Sequence, residues 1–340
     1  MNNSNTNINI LIWVSTLTLM VLLIIIIGGL TRLTNSGLSM VDWRPIMGVL
    51  PPFSNQSWME VFNNYKLTPE FKIVNSNMTL AEFKFIFWWE WFHRLFARLI
   101  GIAFFFPFLY FYFKKQLTIN FIITILFAFL LVFIQALVGW WMVKSGLADD
   151  PYVSPYRLTF HLFNALVIFC ILFWLTLNLI FGSQKIHRSY NLINFLFQFA
   201  FILVFLTIIS GGFMAGTDAG KSFNTFPLMG EKFIPEGYYL SDYRWRNFFE
   251  NTIAINFNHR WIAMFTFIFI LIVNIFLFKS KNYINRTPLY LLLLILFFQI
   301  LLGILTLIYE VPLILAILHQ TNATFLLAAT LFAYHRLIYK

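Results

Sequence analysis

The chain has 340 residues, 60% hydrophobic and only 11% charged, with a formal net charge of +10. Apolar runs of about twenty residues recur along it, long enough to cross a hydrocarbon core, which excludes an ordinary soluble domain whose helices are polar on one face. The positive excess is scattered over short connections and forms no basic domain, so it does not indicate nucleic acid, and the one cysteine, Cys170, excludes an intrachain disulfide and a cysteine-held iron-sulfur cluster.

In chain order the apolar runs predict eight membrane-spanning helices, over 10–30, 88–113, 119–143, 158–181, 192–212, 256–278, 288–308 and 313–334. The expected fold is an all-α membrane protein. The start, Met1 to Asn9, is polar and Asn-rich without the basic region of a signal or the Arg-rich pattern of a transit peptide, which makes a bacterial plasma (inner) membrane the simplest location. If that start is cytoplasmic, the inner connections and tail carry Lys114, Lys115, Lys185, Arg188, Lys279, Lys281, Arg286, Arg336 and Lys340 with no acidic residue. Short loops rich in Lys and Arg stay inside, so both termini are expected to be cytoplasmic. The outer loops, 31–84 and 213–255, are long and rich in Gly, Pro, Asn and charge, and are expected to cover the outer mouths of the helical bundles.

The two halves repeat one another. Gly28-Gly29 followed by Thr34, Gly37 and Ser39 recurs as Gly211-Gly212 followed by Thr217, Gly220 and Ser222. Pro45, Met47 and Gly48 recur as Pro227, Met229 and Gly230, and His93-Arg94 recurs as His259-Arg260. Gln135 and Gly139 match Gln299 and Gly303, and His161 matches His319. An even number of spans per half gives parallel repeats, hence two tandem pseudo-symmetric four-helix bundles, residues 1–185 and 186–340.

His93, His161, His259 and His319 each lie near the start of a span, where an ionisable side chain is costly unless it has a role. Any one of them alone reads as a satisfied core imidazole. Four at matching repeat positions, on the second and fourth helix of each half, are what two haem irons need. His187 and His335, in basic inner segments, read as solvated loop residues, and Cys170 as a small apolar filler.

The strongest local signal is WWEWFHR, Trp88 to Arg94, which on a helix puts Glu90 one turn outward of His93. Glu90 could take a proton or stabilise a cation forming on a macrocycle, or it could be an interfacial carboxylate paired with a neighbouring arginine. The second half has Asn256 at the matching position, so the halves are not chemically equivalent. Arg32, Arg94 and Arg260 could hold haem propionates through forked guanidinium groups, or snorkel to lipid phosphate. Trp88, Trp89, Trp91, Trp140 and Trp141 suit a flat ring but also an interfacial aromatic belt.

These residues resemble the haem A synthase family, in its proteobacterial and mitochondrial form, along nearly the whole chain. The stretches that carry the resemblance are GGLTRLTNSGLSMVDWRPIMGVLPP from Gly28, EFKFIFWWEWFHR from Glu82, TFHL around His161, GTDAGKSFNTFPLMG from Gly216, NFNHR from Asn256 and LHQTNA from Leu318. The resemblance implies oxidation of the ring-position-8 methyl of haem O to a formyl group, giving haem A, through successive hydroxylations. It implies haem O as substrate between His93 and His161, haem b as cofactor between His259 and His319, and Glu90 as the acidic residue needed for turnover. Some family members carry a cysteine pair in the first outer loop; this chain has none, so no role of such a pair transfers.

Two functional readings follow, a haem-oxidising enzyme and a di-haem b-type cytochrome that only transfers electrons; parallel repeats also permit a transporter, but that predicts polar groups at midmembrane and here they fall near the outer surface. The enzyme needs an electron donor that the residues do not name. Pathway logic makes haem O synthase and the cytochrome oxidase that receives haem A its expected associates, the lipid bilayer is its solvent, and small residues in apolar segments could support a homo-oligomer.

Overall fold

A computed structural model describes residues 8–42, 47–148, 150–183, 191–279 and 286–339. Pro45, Lys185, His187, Arg188, Lys281 and Lys340 therefore lie outside the described residues. Eight described helices are long and apolar enough to cross a membrane, which makes this a multi-pass α-helical membrane fold. They are α1 (Ile8–Leu33), α4 (Leu80–Phe113), α5 (Ile119–Gly146), α6 (Pro155–Phe181), α7 (Asn191–Gly216), α9 (Thr252–Lys279), α10 (Thr287–Ile308) and α11 (Leu313–Ile338), with the short α2 (Asn55–Lys66), α3 (Pro69–Ile73) and α8 (Asn247–Glu250) between them. Among the described residues there is no β-strand, only an isolated bridge between Met229 and Lys232. Large apolar side chains such as Phe106, Phe133, Ile272 and Phe297 are exposed on these helices, as lipid-facing residues are.

All eight expected spans are present, and the main difference is where α4 begins. It starts at Leu80 rather than at 88, because Thr79 caps it: Thr79 Oγ1 accepts from the Glu82 N–H and the Glu82 carboxylate accepts from the Thr79 N–H. Glu82 and Lys84 break the apolar run, so hydropathy starts the span too late. The added turns are held by a small outer core. Phe83, Ile86 and Phe87 of α4 are buried with Trp58, Phe62 and Tyr65 of α2, each such side chain contributing roughly 1.5–3 kcal/mol through burial. The connection between α1 and α4 thus carries a folded helical cap, with α2 started by the reciprocal Ser54–Ser57 capping box.

The second outer loop is held mainly by amides. Asn247, fully buried, accepts from the Leu240 N–H at 2.9 Å and donates to the Tyr238 carbonyl at 2.7 Å. Asn251 donates to the Gly237 carbonyl at 2.7 Å, and Gly237 has φ +79°, a conformation that only glycine adopts cheaply.

The chain forms two compact units, Leu19–Ile168 in one, Met1–Thr18 with Phe169–Lys340 in the other. α1 and α6 each contribute to both. Within the second unit α7 packs on α9 and α11, and α10 packs on the same two helices, closing a ring of four. Near the end of α11 the expectation for His335 is corrected: it is no solvated loop residue but lies fully buried in that helix, its Nε2 3.0 Å from Asn178 Oδ1 and its ring against Trp174. The basic residues around it in sequence concealed a helix face that turns inward.

Candidate functional site

In the first compact unit, α1 brings Gly28 against His93 of α4, and α5 brings Gly139 against His161 of α6. A methyl at Gly28 would stand 3.2 Å from His93 Cε1, and one at Gly139 would stand 3.0 Å from His161 Cε1. The second unit repeats both contacts: Gly211 of α7 would place a Cβ 3.3 Å from His259 Cε1 of α9, and Gly303 of α10 would place one 2.8 Å from His319 Cε1 of α11. Each imidazole is therefore seated against a bare stretch of neighbouring helix. His93 and His161 lie within electrostatic reach of each other, as do His259 and His319.

Glu90 is 3% exposed and its two oxygens are fully engaged. Oε2 accepts from Ser39 Oγ at 2.6 Å and from the Met40 N–H at 2.8 Å, while Oε1 accepts from Arg94 at 2.5 Å. Arg94 also donates to the Met40 carbonyl at 2.9 Å. The carboxylate and its arginine thereby staple the chain just after α1 to α4. Asn256 does the same work without charge. It donates to the Ala219 carbonyl at 2.7 Å and to Ser222 Oγ at 3.1 Å, and its Oδ1 accepts from Arg260 Nε at 2.6 Å. Arg260 reaches on to the Thr225 and Phe223 carbonyls, both at 2.7 Å.

The sequence weighed propionates against lipid for these arginines, and the structure gives them a further task as clamps on the outer loops. A guanidinium has five N–H donors, so Arg260, with three engaged, retains donors for a second partner. Arg32, at the end of α1, donates to Asn35 Oδ1 at 3.0 Å. Trp91 donates to the Val49 carbonyl at 3.1 Å, and Trp140 and Trp141, both exposed, lie under Lys144 and Arg157.

Two residues escaped the sequence reading. Asn164 donates to the Leu131 carbonyl at 3.0 Å and to Gln135 Oε1 at 2.7 Å; Asn322 donates to the Ile295 carbonyl at 3.0 Å and to Gln299 Oε1 at 2.9 Å. These amides tie each fourth helix to its third beside the histidine. The signal was available: His161 and His319 are each followed three residues later by Asn and then Ala.

The residues present fit a haem. His93 and His161 each bury an Nδ1 that has no hydrogen-bond partner, so neither ring is held as a structural histidine is, and each sits where a Cβ on the facing helix would crowd it. Among the described residues no three His, Cys, Asp or Glu side chains gather as ligands for a bare metal ion. Two buried imidazoles within electrostatic reach of each other in each unit suit an iron that takes its other ligands from a porphyrin.

Comparison with known proteins bears on the whole span. The family model described as COX15-CtaA, cytochrome oxidase assembly protein, matches residues 11–331. A haem A synthase of Nitrosospira multiformis is 45% identical over 319 residues, covering 92% of this chain and 88% of that protein. Haem A synthases of Nitrosomonas eutropha and Rickettsia africae are 43% and 40% identical, covering 92% and 91% of this chain and 89% and 92% of those proteins.

Proposed function

This chain belongs to the COX15-CtaA family of cytochrome oxidase assembly proteins, and from that membership we propose that it oxidises the ring-position-8 methyl of haem O to a formyl group, yielding haem A. The observation that carries the reading is the unequal pair of loop staples: one built on the charged Glu90 and the other on the neutral Asn256, beside histidines that make the same glycine contacts. An electron-transfer protein with two permanent haems has no need of that inequality.

In this reading the chain is two pseudo-symmetric four-helix bundles, residues 1–185 and 186–340, in a bacterial inner membrane with both termini cytoplasmic. His93 and His161 hold substrate haem O, and His259 and His319 hold haem b. Haem b supplies one-electron redox chemistry when bound. The protein supplies position and charge. The seats at Gly28 and Gly139 set how closely the imidazoles approach from opposite helices, and the cap formed by α2 and α3 lies on the outer side of this bundle. Glu90, held in place by Ser39, the Met40 N–H and Arg94, stands one helical turn from His93, and these contacts join it to the loop at Met40. Arg94 and Arg260 orient the propionates with the donors that their loop contacts leave over.

Expression in a bacterium that makes haem O but no haem A, followed by pigment extraction, tests the proposal. Haem A or its hydroxylated precursor is expected to accumulate. Folded, haem-loaded protein without either pigment would favour the di-haem cytochrome instead. Glu90→Ala, and Glu90→Asn as the counterpart of Asn256, should keep haem b and lose conversion by about 100-fold or more, on the order of what general acid–base groups contribute. Undiminished turnover in both would remove Glu90 from the reaction.

A further inference from the structure

The four imidazoles are held differently at Nδ1. His259 Nδ1 lies 2.7 Å from Ser210 Oγ of α7. That hydroxyl also donates to the Thr207 carbonyl at 2.7 Å, one turn back on its own helix. A serine has one hydroxyl proton, and with it committed to Thr207 the oxygen can only accept from the ring. His259 therefore carries its proton on Nδ1 and presents a bare lone pair at Nε2, the tautomer that an iron ligand requires.

Nothing equivalent exists in the first half. Gly28 and Gly211 make the same contact with their histidines, so the residue preceding each glycine occupies the same register. That residue is Ser210 in one case and Ile27 in the other. Ile27 has no acceptor to offer, and His93 Nδ1 is buried without a partner. Toward the histidines of α11 and α6, Gln299 of α10 brings its amide nitrogen to 3.2 Å from His319 Nδ1 and 3.5 Å from Nε2, whereas Gln135 of α5 turns away to the His161 backbone carbonyl at 3.0 Å. An amide N–H cannot accept the Nδ1 proton, so of these contacts only Ser210 can hold an Nδ1–H.

An acceptor on Nδ1–H fixes the plane of an axial imidazole and makes its other nitrogen a stronger donor, which favours ferric over ferrous iron and tightens the bond. We propose that Ser210 is a positioning residue that locks His259 as a permanent axial ligand, and that Ile27, by withholding the same contact, leaves His93 a ligand that can let its haem go. The proposal rests on the assignment of haem b to the His259–His319 pair. It explains physically how one fold keeps a cofactor in one half and exchanges a substrate in the other.

The test uses the purified full-length protein with its haems bound. Ser210→Ala should raise the midpoint potential of the bound b-type haem by about 59 mV for each tenfold loss of ferric preference. It should also speed transfer of that haem to apomyoglobin by about 10-fold, the low end of what outer ligand-sphere contacts contribute. Ser210→Thr, which keeps a hydroxyl, should restore both. Ile27→Ser should slow release of the haem held by His93 and His161. An unchanged potential and transfer rate in Ser210→Ala overturns the proposal, as does Ser210→Thr behaving like Ser210→Ala. If Ser210→Ala alters only the retention of a farnesylated haem and leaves protohaem untouched, the lock on His259 stands and the allocation of the two haems to the two halves falls.

Discussion

Glu70 is a buried carboxyl with no part in the histidine sites, and its chemistry governs the outer cap. It is 7% exposed, and its Oε2 accepts from the Tyr65 hydroxyl at 2.9 Å, which in turn accepts from Asn75 at 2.8 Å. Burial pushes the Glu70 carboxyl from 4.5 up to about 7; the Tyr65 hydrogen bond opposes that rise, and the charge of Glu90 adds to it. Between about 4.5 and 7 the folded cap therefore binds a proton that the unfolded segment has released. Stability of α2 and α3 falls as pH rises through that window and is lowest above it. The hydrogen-exchange protection factors of residues 55–75, with the intrinsic base-catalysed rise divided out, should fall from about pH 5 to about pH 8, and Glu70→Gln should flatten the trend; an equal slope in the variant would refute the role of this carboxyl. At this scale the sequence showed which residues share one helix, such as Glu90 and Arg94 four apart, because helical spacing is local. It did not show that the same two side chains hold Ser39 and Met40 some fifty positions away, because contacts across a loop follow no period.

Helix glycines make the next scale readable. Gly28, Gly139, Gly211 and Gly303 stood out as repeated backbone-special positions, and the structure gives the reason: each leaves room for an imidazole from the helix beside it. Gly303→Ala puts a methyl 2.8 Å from His319 Cε1, closer than such contacts occur, so the ring must shift. The bound b-type absorption should weaken with a loss of haem affinity of about 10-fold or more. Gly101→Ala, where nothing lies within 4 Å, is the control and should leave the spectrum intact; equal spectra in the two variants would show that the glycine seat does not matter. Helix existence was legible because apolar runs of bilayer length have few alternatives. Helix ends were less so, since Thr79 and Glu82 start α4 through hydrogen bonds in a stretch that hydropathy scores as loop.

For the molecule as a whole, the distribution of Lys and Arg sets an orientation that chemistry can check. The single thiol, Cys170, is removable as Cys170→Ser, after which a new cysteine can report each side. In intact cells a membrane-impermeant maleimide should label Ser54→Cys, in the outer cap, and spare Lys115→Cys, in an inner connection. The opposite pattern would invert the topology. Eight spans and a duplicated plan were visible in the chain as hydropathy and as polar residues recurring in order. The division into compact units was not, because it falls within helices, between Thr18 and Leu19 in α1 and between Ile168 and Phe169 in α6.

That division has a consequence for biosynthesis. Residues 8–18 are made before residues 19–168, yet they belong with a unit whose remaining members come after residue 168, and Thr18 Oγ1 meets Thr176 Oγ1 at 2.9 Å. Because chains build their folding units in the order of synthesis, the unit at 19–168 can close first while the head of α1 waits in the lipid for its neighbours. A chain arrested once residue 168 has emerged would thus strand a finished unit beside an orphaned half-helix, and completion of the second unit waits for the rest of α6 and the helices made after it.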